Sequence, residues 1–326
     1  MSRLRRLVLS LILFVLPACQ QQSALAPAGE EAARVALLSW ILFAGAAVIF
    51  VIVLAALGFA IAGPERLRRR LRAEGAIRFW GIAFPAVTLA VLLGYGLWLM
   101  RETIASPSPA ALRVEVTGEQ FWWRVAYDGP ATKPIAEANE IRIPVGVEVE
   151  FVLRTADVIH SFWVPSLGGK LDMIPGRTNR MRLKAERPGI YRGQCAEYCG
   201  TAHALMSMEI VAVSQAEFDS WLAAAKAPTV PVSETARRGA ALFLASGCGA
   251  CHAVRGTRAE GTIGPDLSRI GARRYLAAAS LPNTAENLIR FITDSSAAKP
   301  GSLMPPFAIF SPDEQHALAA YLASLK

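Results

Sequence analysis

At 326 residues the chain has room for two domains and a membrane anchor. Hydrophobic residues make up 53% and the mean hydropathy is +0.34, too apolar for a wholly water-soluble protein. The net charge of +8 is concentrated in Arg3, Arg5 and Arg6 and in a loop from Arg66 to Arg78, whereas residues 113–225 and 234–326 sum to about −2 and +3. No basic domain is left for nucleic acid, so that class of partner is excluded.

The first elements concern export. A basic start, the apolar run Leu7 to Leu16 and then Pro17-Ala18-Cys19 form a secretory signal pattern. Leu16 to Cys19 resembles a bacterial lipoprotein cleavage box, which predicts removal of residues 1–18 and lipidation of Cys19; an ordinary signal peptide or an uncleaved anchor are the alternatives. Apolar stretches at about 35–62 and 79–100 are each long enough to span ~30 Å of hydrocarbon as a helix. The arginine-rich loop between them is expected on the cytoplasmic side. Residues 19–105 then form a lipid anchor and transmembrane hairpin, with everything after Arg101 on the periplasmic side.

From Leu112 the pattern changes to short alternating runs (113–116, 121–127, 147–155, 181–184, 208–213) separated by turn formers such as Asp128-Gly129-Pro130 and Pro188-Gly189. Period-two alternation predicts a β-sandwich or barrel over 112–225. Ser214 to Glu217 reads as a capping box that opens a helix to about Ala225.

Four of the five cysteines fall in two close pairs. Cys195, Cys199, His203 and Met206 share one loop, and His160 lies upstream. Thiolate, two imidazoles and a weak thioether suit copper electron transfer, and a second cysteine lets two thiolates bridge two coppers. His160 and His203 would be terminal ligands, with Met206 and the Glu197 carbonyl completing the set. A structural zinc site or a Cys195–Cys199 disulfide is the alternative, but neither accounts for His160, Glu197 and Met206 arriving together.

The stretch Asp157 to Pro165, the turn Ile174-Pro175-Gly176-Arg177 and the loop Cys195 to Met206 resemble subunit II of haem-copper cytochrome c oxidases over roughly residues 30–225. The resemblance implies a cupredoxin-like antiparallel β-sandwich and a dinuclear copper centre on His160, Cys195, Glu197, Cys199, His203 and Met206. It also implies a Glu197 side chain directed at magnesium or manganese beside subunit I. Two departures stand out. The family's Gln-Trp-Tyr-Trp run is Gln120-Phe121-Trp122-Trp123 here, so Phe121 stands where the tryptophan that receives electrons is expected; Phe121, Trp122 and Trp123 remain candidate electron-transfer aromatics. A family glutamate near the second span aligns with Arg78, the nearest acid being Glu74, so the usual proton entrance is in doubt.

Residues 226–233, with Pro228 and Pro231, read as a linker. Beyond it, Cys248-Gly249-Ala250-Cys251-His252 is the covalent haem attachment pattern, two thioether links with His252 placed to ligate iron. With an amphipathic helix before it, Gly264-Pro265-Asp266-Leu267 after it and Met304-Pro305 later, residues 234–326 resemble a class I cytochrome c. This implies an all-α domain, Met304 as sixth ligand and a Pro265 carbonyl accepting from the His252 ring. His316 is expected on the surface, and Met173, Met181 and Met208 in packing.

These readings converge on a multi-domain electron-transfer subunit of a proton-translocating terminal oxidase in a bacterial inner membrane. Electrons would come from cytochrome c or a cytochrome bc complex and leave for subunit I, with subunit III as a further partner. The copper subunit of a nitric oxide reductase, or a membrane-tethered copper protein or electron shuttle without a catalytic partner, are the competing functions.

Overall fold

A computed structural model describes residues 22–104, 112–127, 134–228, 230–231 and 233–326; Cys19 and the signal segment lie outside them. The chain divides into two compact units. Of the described residues, one unit holds 34–104 and the other joins 22–33 to those from 112 to 326.

The first unit is helical. Helix α1 (Glu30–Ala62) carries the first apolar stretch. Short helices α2 (Glu65–Leu71) and α3 (Glu74–Arg78) carry the arginines of the loop except Arg72, which caps α2, and a π-helical turn at Phe79–Ala83 leads into α4 (Phe84–Ile104). Two helical spans, Glu30–Ala62 and Glu74–Leu99, are long and apolar enough to cross a membrane, and none of either apolar window is buried within the chain. An apolar surface on every side of a helix is stable in lipid or against other membrane helices.

The second unit opens with a two-sheet sandwich. The expected alternation is visible in β1 (Leu112–Glu119) and β2 (Trp122–Tyr127), which bury every second residue. Strands β3 (Ile135–Ala138), β4 (Glu140–Pro144) and β5 (Val149–Thr155) follow. Then come β6 (His160–Trp163), β7 (Lys170–Met173), β8 (Asn179–Leu183), β9 (Gly189–Cys195) and β10 (Ser207–Val213). One sheet has the order β3-β2-β1-β5-β8 and the other β4-β10-β9-β6-β7.

Most pairings are antiparallel as expected, but β1 pairs with β5 and β4 with β10 in parallel. The long connection from β1 to β5, through three other strands, is what lets those neighbours run the same way. Val114, Trp123, Phe151, Phe162, Met173 and Met208 fill the space between the sheets. Helix α5 (Gln215–Lys226) starts at the expected Ser214/Glu217 capping box and seals one end with Phe218 and Trp221.

The remainder is mainly helical. Helix α6 (Glu234–Ala245) leads to the haem-attachment pattern. After it come a two-strand ladder of β11 (Tyr275–Leu276) and β12 (Leu281–Pro282), helices α7 (Ala285–Thr293) and α8 (Ser295–Ala298), and α9 (Pro312–Ser324). Helices α6 and α9 pack together around Phe243 and Tyr321, and His316 is exposed. This half and the sandwich share a buried interface. Glu137 on β3, only 5% exposed, pairs with Arg273 at 3.1 Å, and Glu209 on β10 pairs with Arg274 at 3.1 Å.

Candidate copper and haem centres

The sulfur-rich site sits at the ends of two interior strands of the second sheet, where β6 and β9 pair. His160 opens β6 and Cys195 closes β9, with Phe162 opposite Cys195 in the ladder. After Cys195 the chain turns back through a 3₁₀ turn at His203–Leu205 before entering β10, which folds the other ligand-type residues over the first two.

Cys195 Sγ lies 3.8 Å from His160 Nδ1, 3.2 Å from the Glu197 carbonyl oxygen and 3.8 Å from Cys199 Sγ. Cys199 Sγ in turn lies 3.6 Å from His203 Nδ1 and 3.8 Å from Met206 Sδ. Both thiols are free and buried, so the alternative disulfide is not formed. Among the described residues, His160, Cys195 and Cys199 form a cluster able to hold a metal ion. Donors of this kind, soft sulfur with imidazole, suit copper. The Glu197 carboxylate lies outside that cluster.

The electrostatics favour a thiolate at Cys195. A hydrogen bond from the Cys199 thiol, together with His160 and the Glu197 backbone, holds Cys195 well below the ordinary thiol range against the opposing effect of burial. The same contact pushes Cys199 up. A thiolate is the form that binds metal. Burial would lower His160, but its bonds to Cys195 and Asp157 outweigh that and raise it.

Asp157 is a site residue whose role is not visible in the ligand pattern. Its carboxylate stands 2.7 Å from His160 Nε2 and accepts from the Gln120 backbone N–H at 2.6 Å. Burial would raise Asp157, yet its bonds to His160, Gln120 and Val158 bring it below the ordinary range. An ionised Asp157 fixes the ring so that Nδ1 faces the sulfurs. Asp157→Asn is therefore expected to weaken copper affinity by about 10- to 100-fold; competition with a copper chelator measures it, and unchanged affinity would show that the carboxylate does not orient the ring.

The second site is a cavity of about 550 Å³ lined by Cys248, Cys251, His252, Pro265 and Met304 among apolar residues such as Leu267 and Phe307. The His252 Nδ1–H donates to the Pro265 carbonyl at 2.8 Å, which leaves Nε2 as the free lone pair. Burial lowers His252 further than that bond raises it, keeping the imidazole neutral, as ligation of iron requires.

The cavity also depends on Gly264, where a Cβ would lie 2.5 Å from His252 Cε1. Residues of this kind fit a covalently held haem. Met304 is carried on a loop whose backbone carbonyl accepts from Ser295 Oγ at 2.7 Å, and Ser295 is fully buried. For Ser295→Ala we expect a weaker sulfur-to-iron absorption band in the haem-loaded protein; an unaltered band would show that Ser295 does not hold the Met304 loop.

The two sites share a wall. Gln120, Phe121, Trp122 and Asp157 line the cavity, and the Gln120 side-chain amide donates to the Cys199 carbonyl at 2.5 Å. Of the three candidate aromatics, Phe121 and Trp122 face the cavity, with Arg124 4.7 Å above the Trp122 ring. Trp123 is instead buried in the sandwich, its ring centroid 6.2 Å from that of His160.

Fold and sites together define a membrane-anchored electron-transfer protein with a sulfur-rich metal site in a sandwich and a haem cavity in a helical domain. Residues 128–213 match the family described as cytochrome c oxidase subunit II, periplasmic domain, and residues 236–326 match cytochrome c. Cytochrome c oxidase subunit 2 of Bacillus subtilis is 30% identical over 98% of this chain and 97% of its own length. That of Alkalihalophilus pseudofirmus is 36% identical over 81% of this chain and 77% of its own. The periplasmic domain of the Bradyrhizobium japonicum subunit is 35% identical, with a TM-score of 0.35, over 37% of this chain and 97% of that chain.

The chain belongs to the cytochrome c oxidase subunit II family, with a cytochrome c domain in the same polypeptide. It is an oxidoreductase component with an electron-transfer role, a copper centre and a haem, and it associates with subunit I. Its two apolar helices anchor it in a membrane.

Proposed function

We propose that this chain takes electrons from an external cytochrome c or cytochrome bc complex by way of a covalent haem c, and passes them through a two-copper centre to subunit I. There oxygen reduction is coupled to proton translocation. The observation that carries this reading is the shared wall: Gln120 and Asp157 both line the haem cavity, and each hydrogen-bonds a candidate copper ligand, Cys199 and His160 respectively.

Bound copper and haem would each supply a one-electron carrier. The protein's own work is to hold them. His160, Cys195, Glu197 (by its carbonyl), Cys199, His203 and Met206 would ligate the copper pair, and the paired strands β6 and β9 limit how far those ligands move between redox states. Cys248 and Cys251 would anchor the haem and His252 and Met304 would hold its iron, with Pro265 fixing the His252 tautomer. The apolar lining excludes water and so limits reorganisation when charge arrives.

In this reading residues 112–225 form the copper domain, 226–233 the linker and 234–326 the haem domain. Residues 1–18 are the signal, Cys19 carries the lipid and residues 19–105 the anchor. The protein sits in the bacterial inner membrane as a two-span subunit, with both redox domains periplasmic and subunit III as a further partner. The Glu197 carboxylate serves magnesium or manganese at the subunit I boundary.

Optical and paramagnetic resonance spectroscopy of the purified complex tests the reading. It expects a haem c band together with a mixed-valence copper signal, and oxygen uptake exceeding nitric oxide uptake. A haem band without the copper signal would overturn it, and preferential consumption of nitric oxide would replace the oxidase by a reductase.

A further inference from the structure

The loop joining β11 to β12 is Ala277-Ala278-Ala279-Ser280, and its three alanines have φ of 51°, 58° and 57°. Left-handed backbone is unfavourable for residues with a Cβ, and a run of three persists only where its surroundings enforce it. The surroundings are on the copper side. The Ala278 carbonyl accepts from the Ser207 N–H at 3.1 Å, and the Ala279 carbonyl accepts from Arg192 Nη2 at 3.1 Å. The Ser280 hydroxyl donates to the Leu205 carbonyl at 2.9 Å. Leu205 and Ser207 flank Met206, so the haem half grips the copper loop on both sides of one candidate ligand.

The Ala277 carbonyl accepts from Lys299 Nζ at 3.1 Å, and the same ammonium donates to the Phe121 carbonyl. Lys299 is 4% exposed, and its two hydrogen-bond partners are neutral carbonyls. Burial is unfavourable for an ammonium and lowers Lys299 to about 7, the charge of Cys199 offsetting it only in part. Lys299 supplies the donor for the Ala277 and Phe121 carbonyls, which an apolar side chain of similar length would not do. Its effect is to join the strained loop to the Gln120–Phe121 strip. The Phe121 ring lies between the two halves: Cβ atoms placed on Gly200 and Gly301 would meet it at 3.0 and 2.8 Å.

We infer that Ser280 and Lys299, both in the haem half, are positioning residues for the copper centre. Ser280 and the left-handed loop set the placement of Met206, and Lys299 sets that of the Gln120–Phe121 wall. The inference rests on the copper reading proposed above. A weak thioether ligand tunes a copper potential through its distance, so loosening a clamp in one half alters the metal held in the other.

The test uses the purified full-length complex carrying Ser280→Ala, Ser280→Thr or Lys299→Met. Ser280→Ala and Lys299→Met are each expected to shift the haem–copper electron equilibrium by about tenfold, the equivalent of about 59 mV for one electron. They should also change the copper resonance spectrum while leaving the haem band and melting temperature in place. Ser280→Thr keeps the hydroxyl and is expected to behave as wild type. Unchanged copper potential and spectrum in Ser280→Ala would overturn the inference, even if Lys299→Met fails to fold. Absence of a copper signal from the wild-type complex would instead overturn the copper reading itself.

Discussion

On the two-copper reading proposed above, Cys199→Ser is expected to abolish the mixed-valence copper signal and to reduce oxidase turnover by about a hundredfold or more, with the haem band intact. Loss of an outer-shell partner of a metal ligand already costs roughly 10- to 100-fold, and Cys199 is more central than that. Its sulfur lies within 3.8 Å of Cys195, His203 and Met206, and its carbonyl accepts from Gln120 on the cavity wall. A serine hydroxyl does not ionise in the relevant range and cannot bridge two coppers as a thiolate can. Resonance spectroscopy and oxygen uptake on one preparation decide the matter. A retained mixed-valence signal would mean that Cys199 is not a bridge.

The second large effect concerns the buried interface between the sandwich and the helical half. Arg273→Met would leave the Glu137 carboxylate without its closest partner, 3.1 Å away, and breaking a buried pair from one side typically costs about 3–5 kcal/mol. The expected result is a lower melting temperature and faster proteolysis between the two halves. Replacing both partners with apolar residues, Glu137→Leu with Arg273→Met, should recover most of the loss. No destabilisation in the single variant would show that the pair does not hold the halves together.

The pH dependence has a definite sign. Burial raises the Glu137 carboxyl more than Arg273 lowers it, so its folded value exceeds the unfolded one. Its contribution to stability is complete below the ordinary carboxylate value and is lost as pH rises through the raised folded value. Removing Arg273 lifts that value further and widens the range of pH over which stability falls.

Much of this was legible in the residues because the chemistry is local. The Cys248 to His252 spacing and the Cys195 to Met206 loop each place several donors within one or two turns of chain, so the spacing alone restricts what they can bind. The capping box at Ser214 and the alternation in β1 and β2 are local too. Strands β6 and β9, which hold His160 and Cys195, were not found by alternation. Three of the four β6 residues are buried, so the strand has no polar face to mark a period of two.

What the sequence alone determined, then, is a membrane-anchored copper-type loop followed by a haem-attachment domain, because short-range spacing dictates which donors can meet. Only the tertiary structure decided how the two sites are joined. The Gln120 amide meets Cys199 across 79 residues, Lys299 meets Phe121 across 178 and Arg273 meets Glu137 across 136. No periodicity or motif reports contacts at that range. They exist because every buried polar or charged group must find a partner: Gln120 finds its own within the sandwich, whereas Lys299 and Arg273 of the haem half find theirs on the sandwich.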